Sequence, residues 1–290
     1  MTWQTALRLG RVSNLPTVWT NVTAAAVLAG AAIPSLAWLV VAVACSLSYV
    51  GGMFLNDAFD RELDARLRPE RPIPAGTVAP SAVFAAGFVL LGVGLLLVVV
   101  TARLTLDAGA GLAVASALAL AGAIVLYDVW HKANPYAPLL MGVCRVLVYV
   151  TAAATLTGGV ASGVLVGAIV VLAYLIGLTY VARQETLGRV ENLWPLLFLA
   201  LPFAYGVPTL MAGGIGSLVY LGFLGWVLFS LSHLGWRAET NVPRAVVSLI
   251  AGIALLDGLI MAGHGGAGTV VVAAGAFLLT LGLQRWVPGT

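Results

Sequence analysis

The strip from Asn56 to Gly76 holds the residue types and spacings that do metal and phosphate chemistry. Of the eleven acidic residues in the chain, five fall here: Asp57, Asp60, Glu62, Asp64 and Glu70. Asp57, Asp60 and Asp64 stand at i, i+3 and i+7, so on a helix they share one face, flanked by Asn56. Three such carboxylates repel one another unless a cation neutralises them. Mg²⁺ suits them, because it takes one or two carboxylates, keeps waters and completes its shell with phosphate oxygens. Arg66, Arg68 and Arg71 follow at once, on a run stiffened by Pro69, Pro72 and Pro74. Guanidinium groups grip phosphate in bidentate fashion. Acids for a metal and arginines for phosphate oxygens make a two-part grip for a diphosphate. The competing reading is a solvated loop whose acids pair with Arg61, Arg66 and Arg68, pairs that contribute little. Spacing alone leaves both readings open.

The elements that must position this strip are apolar. The 290 residues are 61% hydrophobic and only 9% charged, with a mean hydropathy of +1.05. A soluble domain carries roughly a quarter charged residues, so the composition indicates an integral membrane protein. The apolar runs last about twenty residues without strand-type alternation, which selects spanning helices over a barrel. Ten spans are expected, at 14–32, 35–55, 81–101, 106–127, 138–157, 162–182, 193–212, 216–235, 243–262 and 267–286, forming one domain over residues 1–290. With ten spans, twelve of the fourteen basic residues fall on one side, Arg103 lies opposite and Arg145 lies inside a span. By the positive-inside rule that face is cytoplasmic, in a multi-pass protein of the inner or plasma membrane. The longer polar loops share that face, so the active face is expected there. There is no basic stripe with interleaved aromatics, so nucleic acid is not an expected partner. Cys45 and Cys144 lie in apolar segments and offer neither a disulfide framework nor zinc spacing. Glycines such as Gly92, Gly94, Gly109, Gly111 and Gly122 are expected to pack helices closely.

The pattern Asn56-Asp57-x-x-Asp60-x-x-x-Asp64, followed by Arg68-Pro69-x-Arg71-Pro72-x-x-x-Gly76, resembles the first signature of the UbiA superfamily of intramembrane prenyltransferases. The span layout fits too, so the resemblance covers most of the chain. Tyr127-Asp128-x-x-His131-Lys132 and Met141-Gly142-x-Cys144-Arg145 resemble the EboC-like branch. The resemblance implies an all-α bundle of nine or ten transmembrane helices around a central cavity. It implies a polyprenyl diphosphate bound through Mg²⁺ at the cytoplasmic mouth, and transfer of its prenyl group to an aromatic or other small acceptor within the membrane. Membrane lipid surrounds such a protein, and no obligatory protein partner is evident. Asp57, Asp60 and Asp64 would hold the metal, with Asn56 assisting. Arg66, Arg68, Arg71 and Arg183 would hold the diphosphate. Tyr127 and Lys132 match a Tyr-x-x-x-Lys-like element of the family, and Lys132, the only lysine in the chain, would clamp the departing diphosphate with help from His131. Arg145 lies within a span, where an arginine is costly and usually functional. Its expected partner is Asp128 or the diphosphate.

The match weakens after the sixth span. The family usually carries a second acidic motif there, and the corresponding positions hold Tyr180 and Gln184. Glu185 is the best replacement metal ligand, with Gln184 offering a neutral oxygen and Arg183 a positive charge. Tyr127 and Tyr180 are expected to flank the cleaving bond, where aromatic faces steady a cation. Two alternatives remain open at this stage: a UbiA-type terpene cyclase, and a non-catalytic or transport protein with a degenerate second motif.

Overall fold

The computed structural model describes residues 1–132, 134–183, 194–234, 241–265, 267–287 and 289. Those residues are helical, with no strand among them. The elements are α1 (Trp3–Leu9), a 3-10 turn (Val12–Asn14), α2 (Leu15–Leu28), α3 (Leu36–Leu67), α4 (Pro80–Thr105), α5 (Ala110–Trp130), α6 (Ala137–Thr157), α7 (Ser162–Arg183), a second 3-10 stretch (Trp194–Ala200), α8 (Leu201–Met211), α9 (Gly214–Leu231), α10 (Val242–Ala262) and α11 (Ala267–Leu283). Helix starts follow the sequence. Ser35 caps α3 by accepting from the Trp38 amide, and Asn241 caps α10 by accepting from the Arg244 amide. Pro stands in the first turn of α2, α4, α6, α8 and α10, where its missing N–H costs nothing.

Among the described residues, seven helices are long and apolar enough to cross a membrane: α3, α4, α5, α6, α7, α9 and α10. The three other expected spans appear as shorter elements. In place of 14–32, α2 is 14 residues, and it carries Thr17, Thr20, Asn21 and Thr23 buried against its neighbours. The 193–212 segment divides into the 3-10 stretch and α8, with Pro202 in the first turn of α8 and Pro208 inside it. The last segment, α11, is 17 residues. Helix length therefore accounts for seven of the ten expected crossings.

Helix α10 lies at the centre, 78% buried over its apolar window, packed by α2, α7, α9 and α11. In contrast, α4 and α5 are 28% buried and present Leu, Val and Phe side chains outward. The expectation about glycines divides. A Cβ at Gly94 would meet the Ala44 carbonyl at 2.8 Å, and one at Gly51 the Gly87 carbonyl at 2.8 Å, so α3 and α4 need these hydrogens to approach. Gly92, Gly111 and Gly122 face open space instead. Gly92 and Gly122 line an outward groove between α4 and α5.

The longest element is α3. Its 32 residues span roughly 48 Å at the helical rise, against a hydrocarbon core of about 30 Å. Its C-terminal turns, which carry the acid strip, therefore project past the apolar layer.

Candidate active site at the end of the third helix

The expected helical face forms. Asn56, Asp57, Asp60 and Asp64 are all buried on α3, while Glu62, Leu63 and Arg66 are exposed on its other sides. Arg66, two positions past Asp64, turns away from the acids, so the structure does not bring it to the cluster.

Beyond Leu67 the prolines end the helix, and the chain folds into a compact loop. The Arg71 amide donates to the Arg68 carbonyl, the Ala75 amide to Arg71, and the Thr77 amide to Pro72. Gly76 supplies the left-handed residue this reversal needs, at φ +71°. Ile73 and Val78 anchor the loop in a small apolar cluster with Leu9, Phe54, Ala58 and Val83. That anchorage returns Arg71 to the acids: one guanidinium nitrogen lies 2.9 Å from Asp64 Oδ2 and 3.3 Å from Asp57 Oδ1.

Two further elements supply cations. Arg11, between α1 and α2, donates to Asp57 Oδ1 at 3.2 Å. It holds the left-handed conformation at φ 42°, uncommon for a residue with a side chain and a form of strain that concentrates at functional positions. From the end of α5, Lys132 Nζ lies 2.8 Å from Asp60 Oδ1 as an ion pair outside the geometry of an aligned hydrogen bond, and His131 Nε2 lies 3.3 Å from Asp60 Oδ2. His131 Nδ1 lies 3.1 Å from the Tyr127 carbonyl. An imidazole that donates from both nitrogens is the protonated form. Burial by itself pushes His131 down, but its hydrogen bond to Asp60 and the charge of that carboxylate outweigh it, so His131 is held above the ordinary histidine value of 6.5. Tyr127 stacks on the His131 ring at 4.9 Å between centroids.

Two spaces adjoin this cluster and share part of their lining. A polar groove of about 600 Å³ is lined by Arg8, Arg11, Asp57, Arg68, Glu70 and Arg71. A cavity of about 280 Å³ shares Arg11, Arg68 and Arg71, adds Tyr127 and Asp128, and runs inward between Val18, Leu120, Ile124, Val148, Leu175 and Ile253. A charged head and an apolar tail on one molecule would be accommodated by that sequence of surfaces.

Arg145 lines the same cavity, but among the described residues no carboxylate, Asp128 included, pairs with it directly. Its guanidinium donates to Asn21 Oδ1 and Thr17 Oγ1 and lies 5.7 Å from the Tyr49 ring centroid. Asn21 in turn donates to Asp257 Oδ2, which also accepts from Thr20, while Tyr149 donates to Asp257 Oδ1. Asp128 pairs elsewhere: its Oδ1 accepts from Asn56 Nδ2 at 3.2 Å. Tyr180 is half-buried on α7 but does not line the cavity, whereas its neighbours Thr179 and Ala182 do. Arg183 ends α7, and its side chain is outside the described atoms. Gln184 and Glu185 lie outside the described residues.

Among the described residues, no group of three or more His, Cys, Asp or Glu side chains is placed to hold a metal ion by itself. The donor set is oxygen only: carboxylates of Asp57, Asp60, Asp64 and Asp128 and the Asn56 amide. That chemistry fits a hard cation that retains waters and takes phosphate oxygens, and does not fit a softer metal.

Sequence reasoning missed Arg11, which it read only as a charge on the inner side of the first span. No local pattern marks Arg11, because its partner Asp57 is 46 residues away.

The sequence profile of the UbiA prenyltransferase family matches residues 16–251. A digeranylgeranylglyceryl phosphate synthase of Methanopyrus kandleri is 31% identical over 266 residues, spanning 87% of this chain and 89% of the relative. One of Natronomonas pharaonis is 37% identical over 151 residues, 52% of this chain and 49% of the relative. Among solved structures, a UbiA homolog from Aeropyrum pernix K1 superposes with a TM-score of 0.63 at 16% identity, covering 93% of this chain and 98% of that one. A structure described as giving insight into the biosynthesis of digeranylgeranylglyceryl phosphate synthase in membranes superposes with a TM-score of 0.59 at 17% identity, covering 94% and 98%. At such identities the structural likeness establishes the fold.

Proposed function

This chain belongs to the UbiA prenyltransferase family, and on that premise we propose that it uses Mg²⁺ to move a polyprenyl group from its diphosphate to a small acceptor at the cavity mouth. The observation that carries this reading is the junction of two surfaces. A cluster of paired acids and bases, from Arg11, Asp57, Asp60, Asp64, Arg71, His131 and Lys132, adjoins a largely apolar chamber whose wall shares Arg11 and Arg71 with it. The diphosphate head belongs at the first and the prenyl chain in the second.

In the reaction, the bond between the allylic carbon and the diphosphate oxygen breaks, and the electron pair leaves with the diphosphate. The acceptor supplies the pair that forms the new bond to carbon and loses a proton. Mg²⁺, when bound, would neutralise diphosphate charge, held by Asp57, Asp60 and Asp64 with Asn56 beside them. Arg71, Arg68 and Lys132 would hold the phosphate oxygens as negative charge builds on the leaving group, which is electrostatic stabilisation in a site poor in water. Arg71 and Lys132 pair with the acids in the absence of ligand, so binding exchanges partners between groups already in place. Tyr127 presents an aromatic face at the head of the cavity, suited to a carbocation. Gln184, Glu185 and Arg183 retain the auxiliary roles given them by the resemblance.

The relatives' name directs the choice of substrates. A product carrying two geranylgeranyl groups on glyceryl phosphate makes geranylgeranyl diphosphate the first donor to test, with geranylgeranylglyceryl phosphate as acceptor beside aromatic ones. The buried charge of Arg145 in the cavity wall favours an acceptor with an anionic group. The test is diphosphate release by the purified protein with geranyl, farnesyl and geranylgeranyl diphosphates, with and without Mg²⁺ and acceptor. Mg²⁺-dependent release that requires an acceptor supports transfer. Release without acceptor, giving a cyclic hydrocarbon, would replace it with cyclisation, and no release from any donor would defeat it. The orientation that puts this mouth on the cytoplasmic face rests on the basic residues around it and is tested by accessibility labelling of a cysteine placed at Arg66.

A further inference from the structure

Asp128 stands on the last turn of α5, 3% exposed, facing the acid strip from a different helix. One of its oxygens accepts from Asn56, and the other, Oδ2, is buried and has no hydrogen-bond partner among the described residues. Nearby cations are committed elsewhere: His131 donates to Asp60 and to the backbone, and Lys132 contacts Asp60. A buried carboxylate oxygen without a donor carries an uncompensated desolvation cost. Such an orphan beside a cavity marks a position that a ligand or ion fills. Asp128 also lines the cavity, together with Arg11 and Arg71, which pair with the strip's acids.

Geometry supplies the second half of the argument. Asn56 and Asp60 are one turn apart on α3, and Asp128 meets Asn56 across the helix interface at 3.2 Å. Asp57 and Asp64 are drawn together by Arg71 on the loop side, whereas Asp60 faces α5. Acids on a single helix approach a cation from one side only, and a hard octahedral cation is better satisfied by oxygens from two.

Building on the metal-dependent reading above, we propose that Asp128 is a direct divalent-cation ligand, contributed from α5 opposite Asn56 and Asp60, so that the metal site bridges two helices. The open oxygen Oδ2 is the ligating atom, and Asn56 holds the carboxylate in place through Oδ1. Oxygen-only ligation selects Mg²⁺ or Mn²⁺.

The experiment titrates metal-free, full-length protein in detergent with Mn²⁺ alone and follows the loss of the free-ion EPR signal. Asp128→Asn keeps a group that accepts the Asn56 hydrogen bond but removes the charge. It should weaken Mn²⁺ binding by about tenfold or more, while the melting temperature without metal stays level or rises. Asp60→Asn should weaken it similarly, and Asn56→Ala less. If Asp60→Asn loses Mn²⁺ but Asp128→Asn binds like the wild type, Asp128 is a structural acid and this inference falls, while the metal-dependent reading stands. If the wild type itself binds no Mn²⁺, both fall together. Should Asp128→Asn yield no folded protein, Asp128→Glu keeps the charge one methylene longer and is expected to shift the Mn²⁺ affinity; an unshifted value overturns the proposal.

Discussion

Two sites in this protein are built around buried aspartates and behave oppositely. At the end of α3, Asp57, Asp60 and Asp64 meet charged partners from three other segments: Asp57 meets Arg11 and Arg71, Asp60 meets His131 and Lys132, and Asp64 shares Arg71. Deep in the bundle, Asp257 is wholly buried and accepts from the neutral donors Thr20, Asn21 and Tyr149, with Arg145 reached through Asn21. The first cluster touches open, polar space and can exchange its partners for a ligand. The second has every carboxylate oxygen satisfied by a fixed neighbour and ties α2, α6 and α10 together. An acid in an apolar chain is thus not by itself a sign of chemistry; the identity and freedom of its partners distinguish a site from a staple.

Mutations can break this contrast. The largest effect is expected at Asp60. Asp60→Ala should lower turnover by about 10²–10³-fold, the scale of removing a group that stabilises developing charge, with little change in melting temperature because Lys132 and His131 reach solvent. Retained turnover would remove Asp60 from the site. At Asp257 the order reverses. Asp257→Ala strands three donors and should destabilise the fold by about 2 kcal/mol, near the upper end for polar contacts between membrane helices. Activity should fall only as far as folded protein is lost, read by comparing specific activity with thermal melts. An unchanged melt with lost turnover would move Asp257 into the reaction.

Smaller effects refine the first cluster. Arg71→Gln removes the charge between Asp57 and Asp64 and should cost about tenfold in turnover, equivalent to one charge-assisted hydrogen bond. Its signature is a larger effect on donor affinity than Asp257→Ala produces. The smallest effect concerns pH. Because His131 is raised above its unfolded value of 6.5, its pairing with Asp60 contributes fully below that value and is lost as pH rises through the folded one. Stability should therefore decline modestly from neutral toward mildly alkaline pH, by less than about 1 kcal/mol for a partly exposed pair. Melts of wild type and His131→Asn across that range should converge at high pH; parallel curves would contradict the pairing.

Much of the site was legible in the chain. The i, i+3, i+7 spacing of the aspartates requires only helical geometry, and α3 does continue unbroken through them to Leu67. The prolines after Leu67 forced a loop, and Arg71 on that loop reaches the acids. Arg66 carried the same charge but occupied the wrong face, a distinction that periodicity already contained. What could not be read locally depended on distance in sequence. Arg11 finds Asp57 across 46 residues and Asn56 finds Asp128 across 72. The partner expected for Arg145 was wrong for the same reason: Asn21 is 124 residues away, on a helix whose polar face had no counterpart in the local pattern.

The sequence by itself determined that the protein is an apolar helical bundle, that its charged chemistry gathers at the end of the third helix, and that the family is that of the UbiA prenyltransferases. These follow from composition, helical periodicity and a contiguous motif, all of which act over a few turns of chain. Only the tertiary structure decided which cation meets which acid, that Asp257 is held by neutral donors, and that Asp128 keeps a buried oxygen with no hydrogen-bond partner among the described residues. Those outcomes depend on how whole helices pack, and close packing of rigid helices fixes contacts between residues that no local rule relates.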